Sequence, residues 1–441
     1  MEQNLTQGNV MRMLIRFAFP LLCANLLQSF YNVVDMLVVG RYLSSAGLAG
    51  VSSATSVCYV ITAVCSGVTV GGSVLVARYT GSGEESARRA VVGNLFSLCL
   101  LVGLLMTVIP LLLYRPVFQL MRVPADALPH AQRYMAVVAL GTPFVLGYNA
   151  ISAVLRGLGD SRTPLWCIAA ATVVNVVLDL LLVGPAGMGA AGAALATVVS
   201  QILSLVIGLL FLVRRKFFKD FSPQDFKLKP AYAGAILRIG LPTAVQLSVV
   251  NLSYLLATGM FNVFGTVSAA AAGIGLKIST FSAMPCWAVG TAVTTMAGQC
   301  MGANDSVRAG KTAVAGLKLA VLSYLPIILA VWLWAEPIVA FFDPSPFVIE
   351  AGAYYMRMCC SLNAIAYAAM YVFDSFATGV GHATLAMVNA LLHSVVIRLA
   401  LSWLLAFVLG FGFPGLCASE MMAPILPALI GTYFYLRKKW K

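Results

Sequence analysis

The sequence predicts an all-α integral membrane protein of twelve transmembrane helices in two six-helix pseudo-repeated lobes, and three observations carry that expectation. First, 61% of the 441 residues are hydrophobic and only 10% are charged, with a mean hydropathy of +0.92, far from the roughly half-apolar, quarter-charged norm of soluble domains. Second, charge-free runs cover 42–77, 90–114, 134–155, 180–213, 239–276, 278–304 and 399–419, each holding the ~20 residues a helix needs to cross a bilayer. Third, the two halves of the chain match when one is slid along the other by 222 positions. Continuous apolar runs argue against a β-barrel, whose strands would alternate strictly.

In chain order, spans are expected at about 12–38, 46–77, 88–114, 131–155, 163–183, 188–213, 235–262, 268–300, 308–333, 350–378, 384–408 and 414–436. Arg12 and Arg16 precede the first. That stretch outruns a signal-peptide core and lacks a convincing small-residue cleavage site, so it reads as a retained helix. A basic linker, 214–230, separates an N-terminal lobe, 1–213, from a C-terminal lobe, 231–441. With these spans, 21 Lys and Arg residues lie on the side of the two termini, including Arg437, Lys438, Lys439 and Lys441, and 5 lie opposite. The positive-inside rule then places both termini in the cytoplasm of a multi-pass protein of the plasma membrane. The net charge of +13 is accounted for by span borders and anionic headgroups, so the expected large partner is the lipid bilayer and not nucleic acid. The ten cysteines are scattered through apolar helices and read as core filler.

At the 222 offset, Arg16-Phe17-Ala18-Phe19-Pro20 falls on Arg238-Ile239-Gly240-Leu241-Pro242, and Arg156-Gly157-Leu158-Gly159-Asp160 falls on Thr378-Gly379-Val380-Gly381-His382. An even number of spans per half gives both halves the same orientation. Parallel repeats of this kind are one plan of alternating-access transporters. The paired Gly-x-Gly segments follow membrane helices and lack the Gly-Lys-Ser/Thr of a phosphate loop, so they are expected to be tight turns. No ATP motor or metal-ligand cluster appears in the sequence; an ion gradient is the expected energy source, with no cofactor and no enzymatic activity.

Polar groups inside a membrane should face a neighbouring helix or a wet cavity. In span one, Asn25, Gln28, Asn32 and Asp35 form one stripe. Asn175 and Asp179 share a face of span five, and Thr197, Gln201 and Ser204 share a face of span six. Asp35 and Asp179 have no basic residue within a span of their lobe. Burial and like charge oppose two bare carboxylates, so a site holding both should carry a proton or bind a cation. Asn175 and Thr197 add hard oxygen ligands, which leaves Na⁺ open beside H⁺. In the C-terminal lobe, Asn363, Tyr367, Tyr371, Asp374 and Thr378 line one stripe of span ten, with Lys277 in span eight and Arg398 in span eleven. An ion pair of Asp374 with Arg398 or Lys277 and a substrate-contacting role stand as alternatives there. His393 reads as a satisfied interior histidine.

The chain resembles multidrug and toxic compound extrusion (MATE) transporters of the prokaryotic type over nearly its whole length. Early Pro20 with Asp35 near the end of span one, the turn from Leu155 to Asp160, the Asn175 and Asp179 pair, and the six-plus-six repeat carry the resemblance. It implies a V-shaped, two-lobed monomer exchanging small organic, often cationic, drugs or toxic metabolites for H⁺ or Na⁺. Residue by residue it implies a coupling site at Asp35, Asn175, Asp179 and Thr197, with Gln28 and Tyr134 nearby and Asn32 and Gln201 lining the same region. Val250 occupies the place of an acid found in members with a C-lobe cation site, and Asp374 does not align cleanly with the family's span-ten acid, so coupling is expected in the N-lobe. A lipid-linked sugar flippase of similar architecture is the alternative; it would line its cavity with several cations, for which Lys277 and Arg398 are the candidates.

Overall fold

In a computed structural model, residues 5–438 and 440 are described; Lys439 and Lys441, counted above in the basic flank, lie outside them. Among the described residues, eleven helices are long and apolar enough to cross a membrane, and a bent pair supplies a twelfth. They are α1 (Val10–Tyr42), α2 (Ser45–Ser82), α3 (Glu85–Leu120), α4 (Leu128–Gly157), α5 (Arg162–Val183) and α6 (Gly189–Arg214). After the linker come α7 (Pro230–Val263), α8 (Thr266–Gly302), α9 (Ser306–Phe342), the bent α10 (Pro346–Ser361 and Ala364–Gly379), α11 (Ala383–Val408) and α12 (Gly412–Arg437). Most helices outrun the expected spans, with α1–α3 and α7–α9 running 33–38 residues against the ~20 that cross a hydrocarbon layer. Outward residues are strongly apolar: Leu112 is 72% exposed and Phe19 64%, which fits lipid as the surrounding solvent.

Span ten departs from the straight helix expected over 350–378. Its two pieces meet at 42°, with a wide-turn π-helical segment, Met358–Leu362, at the bend. There the buried Cys359 thiol donates to the Cys417 carbonyl at 3.6 Å. Wide turns of the same kind occupy Leu392–Leu401 and Leu404–Val408 of α11. Such turns leave carbonyls unpaired in the helix, and the Ser419 hydroxyl, 2.7 Å from the Ile397 carbonyl, supplies a donor from α12.

The fold divides into two compact units: Cys23–Ala244, and Leu5–Leu22 together with Val245–Lys441. Helices α1 and α7 are thus each divided just after a proline, Pro20 and Pro242, at places that correspond under the 222 offset. In the first unit the start of α7 packs closely on α2; a Cβ at Gly71 would lie 2.3 Å from the Ile236 carbonyl. In the second unit the start of α1 places Leu14, Phe17 and Ala18 in one core with Cys286, Val293 and Phe376. Small residues permit such backbone approach where lipid offers no hydrophobic drive.

The two Gly-x-Gly segments are turns, as their chemistry predicts. Gly159 and Gly381 hold φ of 84° and 93°, a region costly for residues with a Cβ. The following amides close back on their helices, Asp160 to the Leu155 carbonyl at 2.8 Å and His382 to the Ala377 carbonyl at 2.7 Å. Asp160 then caps α5 through the Thr163 amide at 3.0 Å and pairs with Arg215 at 3.1 Å.

The linker is docked on the first unit. Asn94 accepts from the Lys229 amide at 2.7 Å and donates to the Asp225 carbonyl at 3.4 Å, and the Ser97 hydroxyl donates to the Phe226 carbonyl. Gly93 makes room for this strand of chain, because a Cβ there would lie 2.2 Å from the Asp225 carbonyl. Gly93→Ala is therefore expected to cost about 1–3 kcal/mol in overpacking and to lift the linker from α3. Faster trypsin cleavage at Lys219 and Lys227 of the detergent-purified variant would register it; an unchanged cleavage rate would refute it.

Candidate cation site

Asp35 lies on the last third of α1, and Asn175 and Asp179 lie one turn apart on α5. Val38 and Val39 of α1 and Val183 of α5 belong to one apolar cluster with Met135 and Ala193. Asp179 is fully enclosed and Asn175 is 1% exposed, while Asp35 is half-buried. The Asp35 and Asp179 carboxyls lie within hydrogen-bonding reach of each other. With both ionised, Asp35 Oδ1, both oxygens of Asp179 and both polar atoms of the Asn175 amide are buried without a hydrogen-bond partner. Five orphaned polar atoms in one place run against the near-universal satisfaction of buried polar groups. One shared proton or one small cation relieves the carboxylates, since two at contact cannot both stand bare.

The site contains a residue that the stripe argument passed over. Tyr31, one turn before Asp35 on α1, has its hydroxyl 3.1 Å from the Thr197 hydroxyl of α6 and lies in the field of both acids. Its spacing from Gln28 and Asp35 put it on the same stripe; its aromatic ring disguised it as core. Thr197 thus joins the site through Tyr31. Tyr134, buried on α4, also faces the Asp35 charge. Gln28 and Asn32 are exposed on α1, and Gln201 is partly buried on α6.

The C-terminal unit arranges its charges differently from the expected pairing of Asp374 with Arg398 or Lys277. Asp374 is buried and accepts from the Asn389 amide at 2.6 Å. Arg398 instead pairs with Glu420 of α12 at 2.8 Å, donates to the Ser253 hydroxyl at 3.2 Å and lies 4.0 Å from the Tyr254 ring centroid. The reason is distance along α11: Asn389 and Arg398 are separated by about 13 Å of helix rise, so the former meets α10 and the latter meets α12 and α7. Lys277 is exposed. The sequence signal for Glu420 is its place as the sole acid of the span expected at 414–436. Tyr367 and Tyr371 stack at 6.1 Å, and the Trp287 indole donates to the Tyr367 hydroxyl at 2.9 Å. His393 is buried.

Among the described residues, up to twelve helices able to cross a membrane, in two units whose sequences repeat, form the architecture of a multi-pass membrane protein. The MatE family model matches residues 20–181 and again 242–404, and the chain belongs to that family, the MATE transporters. The two matched segments begin 222 positions apart, at Pro20 and Pro242, so the same pattern is present twice. The chain is similar to the probable multidrug resistance protein YoeA of Bacillus subtilis, 28% identical over 77% of this chain and 75% of the relative. It is similar also to a probable multidrug resistance protein NorM of Thermotoga maritima, 24% identical over 97% and 92%. A MATE crystal structure in the straight conformation superposes with a TM-score of 0.92 at 21% identity, covering 99% of this chain and 97% of that one, which shows a shared fold.

Proposed function

We propose that this protein is an antiporter that exports small organic, often cationic, drugs or toxic metabolites and takes H⁺ or Na⁺ in exchange at Asp35 and Asp179. The observation that carries this reading is the pair of facing, uncompensated carboxyls with the orphaned Asn175 amide between enclosing apolar side chains. For H⁺, the pair shares one proton. For Na⁺, both carboxylates and the Asn175 oxygen supply hard ligands, with the Thr197 and Tyr31 hydroxyls next to them. Half-buried Asp35 is where an arriving cation enters, and enclosed Asp179 is where it is held. Occupancy removes the mutual repulsion that separates α1 from α5, and the resulting shift of α1 weakens the hold on the exported molecule. Stacked Tyr367 and Tyr371 offer an adaptable apolar wall for varied substrates. Names of relatives such as YoeA and NorM point to the same substrate class.

The protein works as a single chain in the cytoplasmic membrane, with both termini in the cytoplasm as the 21-to-5 distribution of basic residues favours. Pairing of Arg398 with Glu420 occupies one of the two cations, Lys277 and Arg398, that a lipid-linked sugar flippase would use for a pyrophosphate, which favours export of cations over that reading. Proteoliposomes loaded with a fluorescent organic cation are the direct test. Export of the dye should dissipate an imposed H⁺ or Na⁺ gradient in proportion to dye moved, and dye movement indifferent to both gradients would defeat the proposal.

A further inference from the structure

At the end of the first unit that carries the α2–α3 and α4–α5 turns, a cavity of about 490 Å³ opens between α3, α4, the end of α6 and the start of the linker. Nothing in the transport mechanism uses it. Its rim holds Arg88, Arg89, Arg215 and Lys216, against Glu85, Asp160 and Asp220. Asp160 is already neutralised by Arg215 and by the α5 amides, and Arg88 stands 3.9 Å from Glu85. Arg89, Lys216 and Asp220 remain, so the opening carries a small net positive charge. Beneath the charged rim the lining turns apolar, with Leu155, Leu158, Leu212 and Phe217. A cavity of this size matches those that hold small amphiphilic ligands.

We infer that this cavity binds the phosphate of an amphiphilic phosphate ester, with the phosphate between Arg89 and Lys216 and its apolar portion on Leu155 and Phe217. Guanidinium groups pair with phosphate oxygens through two parallel hydrogen bonds, and basic pockets beside membrane helices suit phospholipid headgroups. Glu85 and Asp220 accept from the hydroxyl or ammonium groups that such esters carry. Phosphatidyl headgroups and soluble phosphate esters share this chemistry. Because Lys216, Phe217 and Asp220 belong to the linker while Arg89 belongs to α3, an occupant ties the two together. It thereby reinforces the hold that Asn94 and Ser97 have on the segment leading into α7.

Two arms test this with the full-length protein. In detergent, glycerol 3-phosphate is titrated calorimetrically; in nanodiscs of phosphatidylcholine with or without phosphatidylglycerol, trypsin cleavage at Lys219 and Lys227 is timed. Glycerol 3-phosphate binding identifies a soluble ester as sufficient, and slower cleavage with phosphatidylglycerol identifies the headgroup. Either effect should fall at least about tenfold in the Arg89→Ala, Lys216→Ala double variant, whose unchanged melting temperature and elution volume establish folding. Absence of both effects, or their persistence at full size in the folded double variant, overturns the proposal. Should the double variant fail to fold, Lys216→Gln alone provides the same comparison from an exposed position.

Discussion

Asp179→Asn is expected to end ion-driven efflux while the protein still reaches the membrane in normal amount. The substitution is nearly isosteric and replaces an orphaned carboxylate by a neutral amide, so packing around Val183 and Met135 persists. What disappears is the charge that makes the pair bind a cation. Loss of one or two charge-assisted contacts of about 1.5–3 kcal/mol each lowers affinity for the coupling ion roughly a hundredfold. Asp35→Asn should have the same outcome by a different route, leaving Asp179 enclosed beside a neutral neighbour with no partner to share a proton. Gradient-driven dye export from proteoliposomes should fall to the level of protein-free liposomes in both variants. If either retains native export, the coupling assignment fails, whereas the fold and family do not depend on it.

In the second unit, the largest stability loss is expected from Glu420→Ala. The substitution strands the Arg398 guanidinium, whose side chain is 3% exposed, among apolar side chains and the Tyr254 ring. Breaking one partner of a buried pair costs about 3–5 kcal/mol, and replacing both partners with apolar residues of similar volume is often neutral or stabilising. Arg398→Met with Glu420→Leu should therefore recover most of the loss. Thermal unfolding followed by alkylation of buried cysteines such as Cys286, Cys300 and Cys417 would rank the three proteins. A single variant that melts with the native protein would show that Arg398 finds another anion or reaches water. Recovery in the double variant would also separate a structural pair from a substrate contact, because transport should then return with stability.

The helix count and the acid pair were legible in the sequence because lipid imposes simple rules. Any polar group within a span needs a partner, so Asp35, Asn175 and Asp179 announced themselves by lacking one. Spacing placed Asp35 on one face of α1 and Asn175 with Asp179 on one face of α5, and the structure brings the two acids together. Less legible were interactions whose members look ordinary alone. The apolar ring of Tyr31 hides its polar end, yet its hydroxyl meets Thr197. Arg398 takes Glu420 of α12 as its partner in place of Asp374. Helix spacing gives the direction of a side chain but not which neighbour stands there, and an inter-helix choice between Asn389 and Arg398 needs the fold. The bend in α10 and the wide turns of α11 were likewise hidden, since Met358–Leu362 and Leu392–Leu401 contain neither proline nor glycine.

The division of α1 and α7 between units sets an order of events during translation. Leu14 and Phe17 leave the ribosome early relative to their partners Cys286, Val293 and Phe376, which come some 270 or more residues later. At roughly 5–20 residues per second, the opening helix must wait on the order of ten to sixty seconds for its neighbours. During that interval acyl chains must stand in for protein along its inward face. The first unit, in turn, stays incomplete until synthesis has passed Pro242, so neither half finishes as an independent bundle while the nascent chain is only half made.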